Sequence, residues 1–442
     1  MTARPPAAPV VLADPDHQHL GPVRPLDVLE GASRDHADPA TDGDTADLAS
    51  AAEPASAALQ SDRKTGSLPD ERHSTSGKAD SDDKNLKRWG KIKISGQVRM
   101  RFDTEWDRGL DSPEDLNARN RLRFRVRVAL SERLNDHCDW GLRFTSGEQL
   151  GDGSENQTFD NFFSRKPFDI DRAFIHYTTD RRFDDDDERV MFEATAGKQP
   201  IPWEVNSVNI DDQLQPEGLS QTVMFKGPKD SAFKDVGVTA WQMVFNQRNN
   251  NSDAILYGVN VKPEFQMSEN WGAKFWLQLF YLRNFAIVDL TGQPAGEGQE
   301  VLGDRHPING IAELAYSGWG DKEGDVSRWQ LALRSEWIYN AQGPSNGKNA
   351  WDVDVQLGRL ANPGDWLFEG LYYRVGTNVF PLFLSTGEDL DSNAHGTEIS
   401  ASYLLEKKIQ FRARYIGGRK TMTDGPINRW FNRFQFDVTY GF

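Results

Sequence analysis

Ala118–Leu130 reads ARNRLRFRVRVAL, and the fold turns on how its side chains divide. From Arg121 the residues alternate without a break. Arg121, Arg123, Arg125 and Arg127 take one face, and Leu122, Phe124, Val126, Val128 and Leu130 take the other. A period of two marks a strand, because successive side chains point to opposite sides of the pleat. A helix would mix the two sets around its circumference. The arginine face needs water or anions, and the apolar face needs hydrocarbon. A soluble sandwich supplies both, with a packed core on one side and bulk water on the other. So does a membrane barrel, with lipid outside and a wet lumen within. The other strands decide between them.

The 442-residue chain carries a formal charge of −16, and its mean hydropathy is −0.66. No run reaches the ~18–20 apolar residues of a transmembrane helix. The longest apolar clusters, such as Trp276–Leu282, stop at strand length and contain Gln278. Helical membrane proteins are thereby excluded. Barrels are not, since alternating strands keep hydropathy low. Net acidity argues against nucleic acid as a partner. The single cysteine, Cys138, rules out an intrachain disulfide framework and a Cys-rich zinc site.

Residues 1–88 contain no aromatic residue and are rich in Ala, Pro, Asp and Ser. Such a segment buries too little apolar surface to offset chain entropy, so it is expected to be disordered. No secretory signal is recognisable there, because the apolar patch Pro9–Ala13 is too short for one. Residues 89–442 are expected to form the folded unit.

From Lys91 onward sixteen strands are predicted, at 91–104, 119–131, 138–147, 169–179, 189–198, 219–226, 235–247, 254–266, 271–286, 308–317, 327–339, 350–358, 364–376, 395–405, 408–418 and 429–442. An even number suits a closed antiparallel barrel with both ends on one side. Connections after even-numbered strands are short, such as Glu132–His137 and Gln266–Asn270. Those after odd-numbered strands are long, such as Glu105–Ala118, Gly147–Phe168 and Gln199–Gly218. Asn249–Asp253, short, and Ser317–Ser327, long, are exceptions. Outer-membrane barrels show this asymmetry, with short periplasmic turns and long extracellular loops. The fold class expected is therefore all-β, a transmembrane antiparallel β-barrel of about sixteen strands.

The last strand, Arg429–Phe442, sets Phe434, Phe436, Val438, Tyr440 and Phe442 on one face. An aromatic-rich strand ending in Phe resembles the C-terminal signal of bacterial outer-membrane barrels. Trp140, Trp271, Trp329, Trp351, Trp366 and Trp430 stand near strand ends, where an interfacial girdle would place them.

Three segments carry a family resemblance: LSERLNDHCDWGLRFTSGE (130–148), DIDRAFIHYT (169–178) and GKQPIPWEVNSVNIDDQLQPEGLSQ (197–221). The chain from about 90 to 442 resembles the Gram-negative putative-porin family and, more distantly, the phosphate-selective porins. The resemblance implies a water-filled channel of the cell outer membrane for passive diffusion of ions and small hydrophilic solutes. It further implies no catalysis, no cofactor and a homotrimer in contact with outer-membrane lipid and lipopolysaccharide. Phe442 would then be read by the barrel-assembly machinery. The alternatives are an anion- or phosphate-selective channel and, in another class, a soluble all-β carbohydrate-binding protein.

In a closed barrel the last strand meets the first, so distant arginines converge on one wall. The expected wall holds Arg99, Arg101, Arg121, Arg123, Arg125, Arg127, Arg143, Arg412, Arg414 and Arg433. The link Gln199–Gly218, with Glu204, Asp211, Asp212 and Glu217, is expected to fold inward across from it. Opposed charges would set a transverse field that orients water and polar solutes. The plainer alternative is that the arginines only wet the lumen. Asp184–Glu188 reads as a solvated acidic turn, and Asp389, Asp391 and Asn393 lack the glycine and final acid of a calcium loop. His176 is expected to face the lumen, with no motif that makes it a catalytic base.

Overall fold

Seventeen β-strands account for the regular structure among the described residues of the computed structural model. It describes residues 92–106, 118–147, 155–159, 166–179, 190–206, 208, 214–228, 231–246, 253–284, 306–323, 326–342, 347–376, 379, 394–420 and 430–442. The first strands are β1 (Lys93–Trp106), β2 (Arg119–Arg133), β3 (Cys138–Ser146), β4 (Gln157–Thr158), β5 (Phe168–Thr178) and β6 (Val190–Lys198). There follow β7 (Glu217–Lys226), β8 (Phe233–Asn246), β9 (Ala254–Gln266), β10 (Trp271–Arg283), β11 (Pro307–Glu323) and β12 (Val326–Asn340). The last are β13 (Asn349–Gly358), β14 (Trp366–Val375), β15 (Ala394–Glu406), β16 (Ile409–Lys420) and β17 (Trp430–Gly441).

Sixteen of these are staves of a closed antiparallel barrel. The two-residue β4 continues the pairing with β2 beyond the end of β3. Closure is made by β1 against β17, from Gln97↔Gly441 to Trp106↔Asn432. An open sheet would leave two edges of unpaired backbone groups, a severe cost in a membrane. The expected sixteen-strand barrel is the fold found.

The register explains why each face is uniform. Phe102 stands between Leu122 and Phe436, Met100 between Phe124 and Val438, and Val98 between Val126 and Tyr440. Those rows point outward. Between them Arg101 stands beside Arg123 and Asp437, and Asp103 beside Arg121 and Gln435, pointing inward. Burial runs opposite to that of a soluble protein. Arg99 and Arg125 are fully buried, while Leu122 is 54% exposed and Ile175 59%. Exposed Leu277, Val355, Phe368 and Ile399 extend the apolar belt to the far side. In water such a belt is an aggregating surface, so its solvent is hydrocarbon. This removes the soluble carbohydrate-binding alternative.

Aromatic side chains edge the belt at both ends. Trp271 packs on Tyr316 with centroids 4.8 Å apart and Trp366 on Tyr403 at 4.7 Å, at the short-turn end. Trp351 with Tyr372, and exposed Trp430, mark the other end.

One exception in the loop pattern disappears. The link expected across Ser317–Ser327 is mostly strand, because β11 runs on to Glu323 and β12 begins at Val326. Register shifts at Tyr316/Trp319 and Trp319/Lys322 break the period of two, which hides the pairing from a reading based on alternation. Residues 1–88, Asp184–Glu188 and the stretch holding Asp389, Asp391 and Asn393 lie outside the described residues.

The two faces should differ in their tolerance of charge. Val126→Arg, on the outward face midway along β2, should destabilise lipid-inserted protein by ~2–4 kcal/mol. Gln356→Arg, inward on β13 beside Asp354, should cost little. Reversible unfolding from lipid vesicles measures both, and equal costs would contradict a lipid-facing assignment of Val126.

Candidate functional site

The barrel interior holds the polar side chains that could act on a solute. All ten arginines expected on one wall point inward on β1, β2, β3, β16 and β17, and all are buried. They do not stand as a bare basic surface. Asp437 takes Arg101 in a two-pronged contact, at 2.7 Å and 2.8 Å. Asp103 binds Arg121 and Arg433, each at 2.7 Å, with Arg123 at 3.9 Å. Glu105 binds Arg121 at 2.7 Å and Arg433 at 3.2 Å. Arg143 pairs with Asp171. On the other flank Arg414 binds Glu398 at 2.6 Å and 2.9 Å, and Arg412 reaches Glu369 at 3.1 Å. Guanidinium forks match carboxylates two bonds at a time, which suits a crowded wall. Removing one partner of such a buried pair costs about 3–5 kcal/mol, because the other charge is stranded.

The connection between β3 and β5 adds a countercharge that the alternation does not reveal. Glu155 is buried and accepts hydrogen bonds from Arg127, with Arg125 at 3.4 Å and Arg143 at 4.0 Å. Asn156 accepts from Arg99 through its side chain, and from Arg123 through its carbonyl at 3.0 Å. Burial would raise the Glu155 carboxyl, but Arg127, Arg125 and Arg143 outweigh it and hold the group down at about 2.

The segment after β6 also enters the barrel, and two glycines permit its departure. Gly197 and Gly218 face each other across β6 and β7 with φ of 117° and 156°. A Cβ at either would collide with a backbone oxygen, that of Ala173 or of Gln242. Gln199 N–H then closes the neck on the Pro216 carbonyl at 2.9 Å. Within, Trp203 packs against Trp241 and Phe280, with centroids 5.2 Å and 5.7 Å away. Gln278 grips the backbone of Glu204 from both sides, accepting from its N–H at 2.9 Å and donating to its carbonyl at 3.0 Å. Arg334 holds the Glu204 carboxylate at 2.7 Å, the Asn206 amide donates to Asp352 at 3.0 Å, and Val208 N–H reaches Glu336 at 3.3 Å.

Of the acids expected on that link, Glu204 thus lies against Arg334 of β12. Glu217 begins β7 and pairs with Lys198 at 2.9 Å. Asp211 and Asp212 lie outside the described residues. His176 faces inward between Asp139, 3.4 Å from Nδ1, and Glu193, 3.8 Å from Nε2. Among the described residues no group of three or more His, Cys, Asp and Glu could hold a metal ion. The acids that pair the arginines, Asp103, Asp437, Asp171 and Glu398, sit on strand faces, so extending the alternation to acids would have found them. Gln278, Arg334, Glu336 and Asp352 carry no such signal, because only the inward segment gives them a role.

A closed sixteen-strand barrel with an apolar outside, a charged inside and an inward segment after the fifth stave defines the class: a porin-type barrel of the outer membrane. Residues 79–285 match the family described as "Putative porin". No curated protein matches the chain. Among solved structures, Pseudomonas putida OprB aligns at 12% identity over 79% of this chain and 94% of its own, with a TM-score of 0.51. OmpF of Salmonella typhi, solved with daunomycin, aligns at 10% identity over 79% and 97%, with a TM-score of 0.46. The likeness to OprB is one of fold.

The Gln278 grip can be tested on the inward segment. Reversible unfolding from lipid vesicles should show Gln278→Ala less resistant to denaturant than the wild-type barrel, because the change strands a backbone donor and acceptor at about 1–3 kcal/mol each. Equal resistance in the two proteins would show that the grip is dispensable.

Proposed function

We propose that the protein is a porin through which ions and small hydrophilic solutes diffuse passively across the outer membrane. The passage is assigned to the space between the arginine wall and the segment 199–217, with Asp211 and Asp212 supplying negative charge opposite the wall. The observation that carries this reading is the inward arginine row of β2 in a barrel whose lumen also receives the Glu204 segment. Charge held on both sides of a narrow aqueous passage orients water and polar solutes. The family match supports a channel rather than an enzyme. From the resemblance we also assign a homotrimer contacting lipopolysaccharide, with Phe442 engaging the assembly machinery.

The wall's net effect on ions is set by local placement, since acids outnumber bases in the chain as a whole. Arg123→Ser combined with Arg125→Ser should shift the reversal potential in asymmetric salt toward cation preference. Asp211→Asn with Asp212→Asn should shift it toward anions. Both shifts should fade at molar salt, where screening shortens to ~3 Å from ~10 Å at 0.1 M. Planar-bilayer recordings at the two salt levels give the answer. Should neither pair move the potential at low salt, the arginines serve only to wet the lumen. A large anion preference lost with the arginine pair would favour an anion- or phosphate-selective channel.

A further inference from the structure

Below the inward segment, toward the short-turn end, the barrel wall forms a small niche roofed by Pro202 and Glu204. Its floor and sides come from the inward faces of β6–β10, with Glu193, Asn260, Lys262 and Trp276 carrying the chemistry. The cavity volume is about 30 Å³, the space of two or three water molecules, so a solute enters it with its polar end only. We propose that this niche is a subsite for the head group of a small zwitterionic solute, whose carboxylate and ammonium lie a few bonds apart. The proposal rests on the channel reading above.

Two independent features point to such a ligand. The first is a donor and an acceptor left over in the niche. Asn260 is 6% exposed and Trp276 4%, and among the described residues Asn260 Oδ1 and Trp276 Nε1 have no hydrogen-bond partner. Buried polar atoms are ordinarily paired, so both ask for a partner from outside the protein. The second is charge of both signs at the same place. Lys262 Nζ stands 5.5 Å from the Trp276 ring centroid and has no carboxylate partner among the described residues. Glu193 lies 3.8 Å from the His176 ring, which carries charge only when protonated.

A carboxylate would take the Trp276 N–H and Lys262, while an ammonium would take Asn260 Oδ1 and Glu193. A neutral polyol satisfies the amide and indole but uses neither charge. A simple anion or cation uses only one side. The Trp276 face is a poor platform for a stacked sugar, because Arg334 also sits over the ring, at 5.1 Å.

The full chain in proteoliposomes is compared for osmotic swelling by L-serine, a zwitterion, and erythritol, a neutral solute of similar size. The serine-to-erythritol rate ratio should fall about five-fold in Asn260→Val and in Lys262→Met, as loss of one hydrogen-bonded or charged contact implies. It should hold in Gln410→Leu, a change on the inward face of β16 away from the niche. An unchanged ratio in both niche variants, or an equal fall in Gln410→Leu, would overturn the proposal. Because a variant can fail to insert, equilibrium dialysis of labelled serine against the wild-type protein in detergent gives a second reading, with saturable binding expected. Swelling by all solutes without saturable serine binding refutes the niche and leaves the channel standing. Serine binding without swelling by any solute does the reverse.

Discussion

No N–H or C=O may be left without a partner where water is absent, so a sheet in a membrane has to close. Here closure joins β1 to β17, bringing together residues more than 300 positions apart in sequence, as in Arg101 with Asp437. The register of that seam and of β1 with β2 fixes which side chains meet lipid and which meet the lumen. A slip of one residue would turn every arginine of β2 toward lipid and every apolar side chain toward the lumen. The transfer of several guanidiniums into hydrocarbon is far costlier than any local gain, so the register is strongly specified.

Turning charge inward raises a second problem, since crowded guanidiniums repel one another. The barrel answers it with acids interleaved on the same wall. Asp103 and Asp437 lie between arginines of neighbouring strands, Glu398 serves two arginines of β16, and Glu155 arrives from a connection. A different solution holds the opposite side, where an aromatic cluster around Trp203 and the amide of Gln278 fix the inward segment. The lumen is thereby divided into a wall organised by ion pairs and one organised by apolar packing and backbone clamps.

Much of the barrel is legible in the sequence because lipid and lumen impose a strict period of two. The sixteen strands, the seam and the inward arginines all come from alternation plus closure. The β11–β12 hairpin reads in sequence as a long link because two register irregularities interrupt that period. Glu155 gives no signal because a connection has no period at all. The latch residues Gln278, Arg334 and Asp352 look in sequence like ordinary lumen-facing polar groups. Their role depends on where a segment from far upstream comes to rest, and nothing local in the sequence encodes that.

The separation of a lipid face from an aqueous face by β2 underlies the architecture of the membrane-inserted protein. Its most direct test is a cysteine scan over positions 121 to 128 in lipid vesicles, in a background where Cys138 is replaced by Ser. A lipid-soluble thiol reagent confined to the bilayer should label Leu122→Cys, Phe124→Cys, Val126→Cys and Val128→Cys, and should spare Arg121→Cys, Arg123→Cys, Arg125→Cys and Arg127→Cys. A flat profile, or labelling in the opposite phase, would contradict the account.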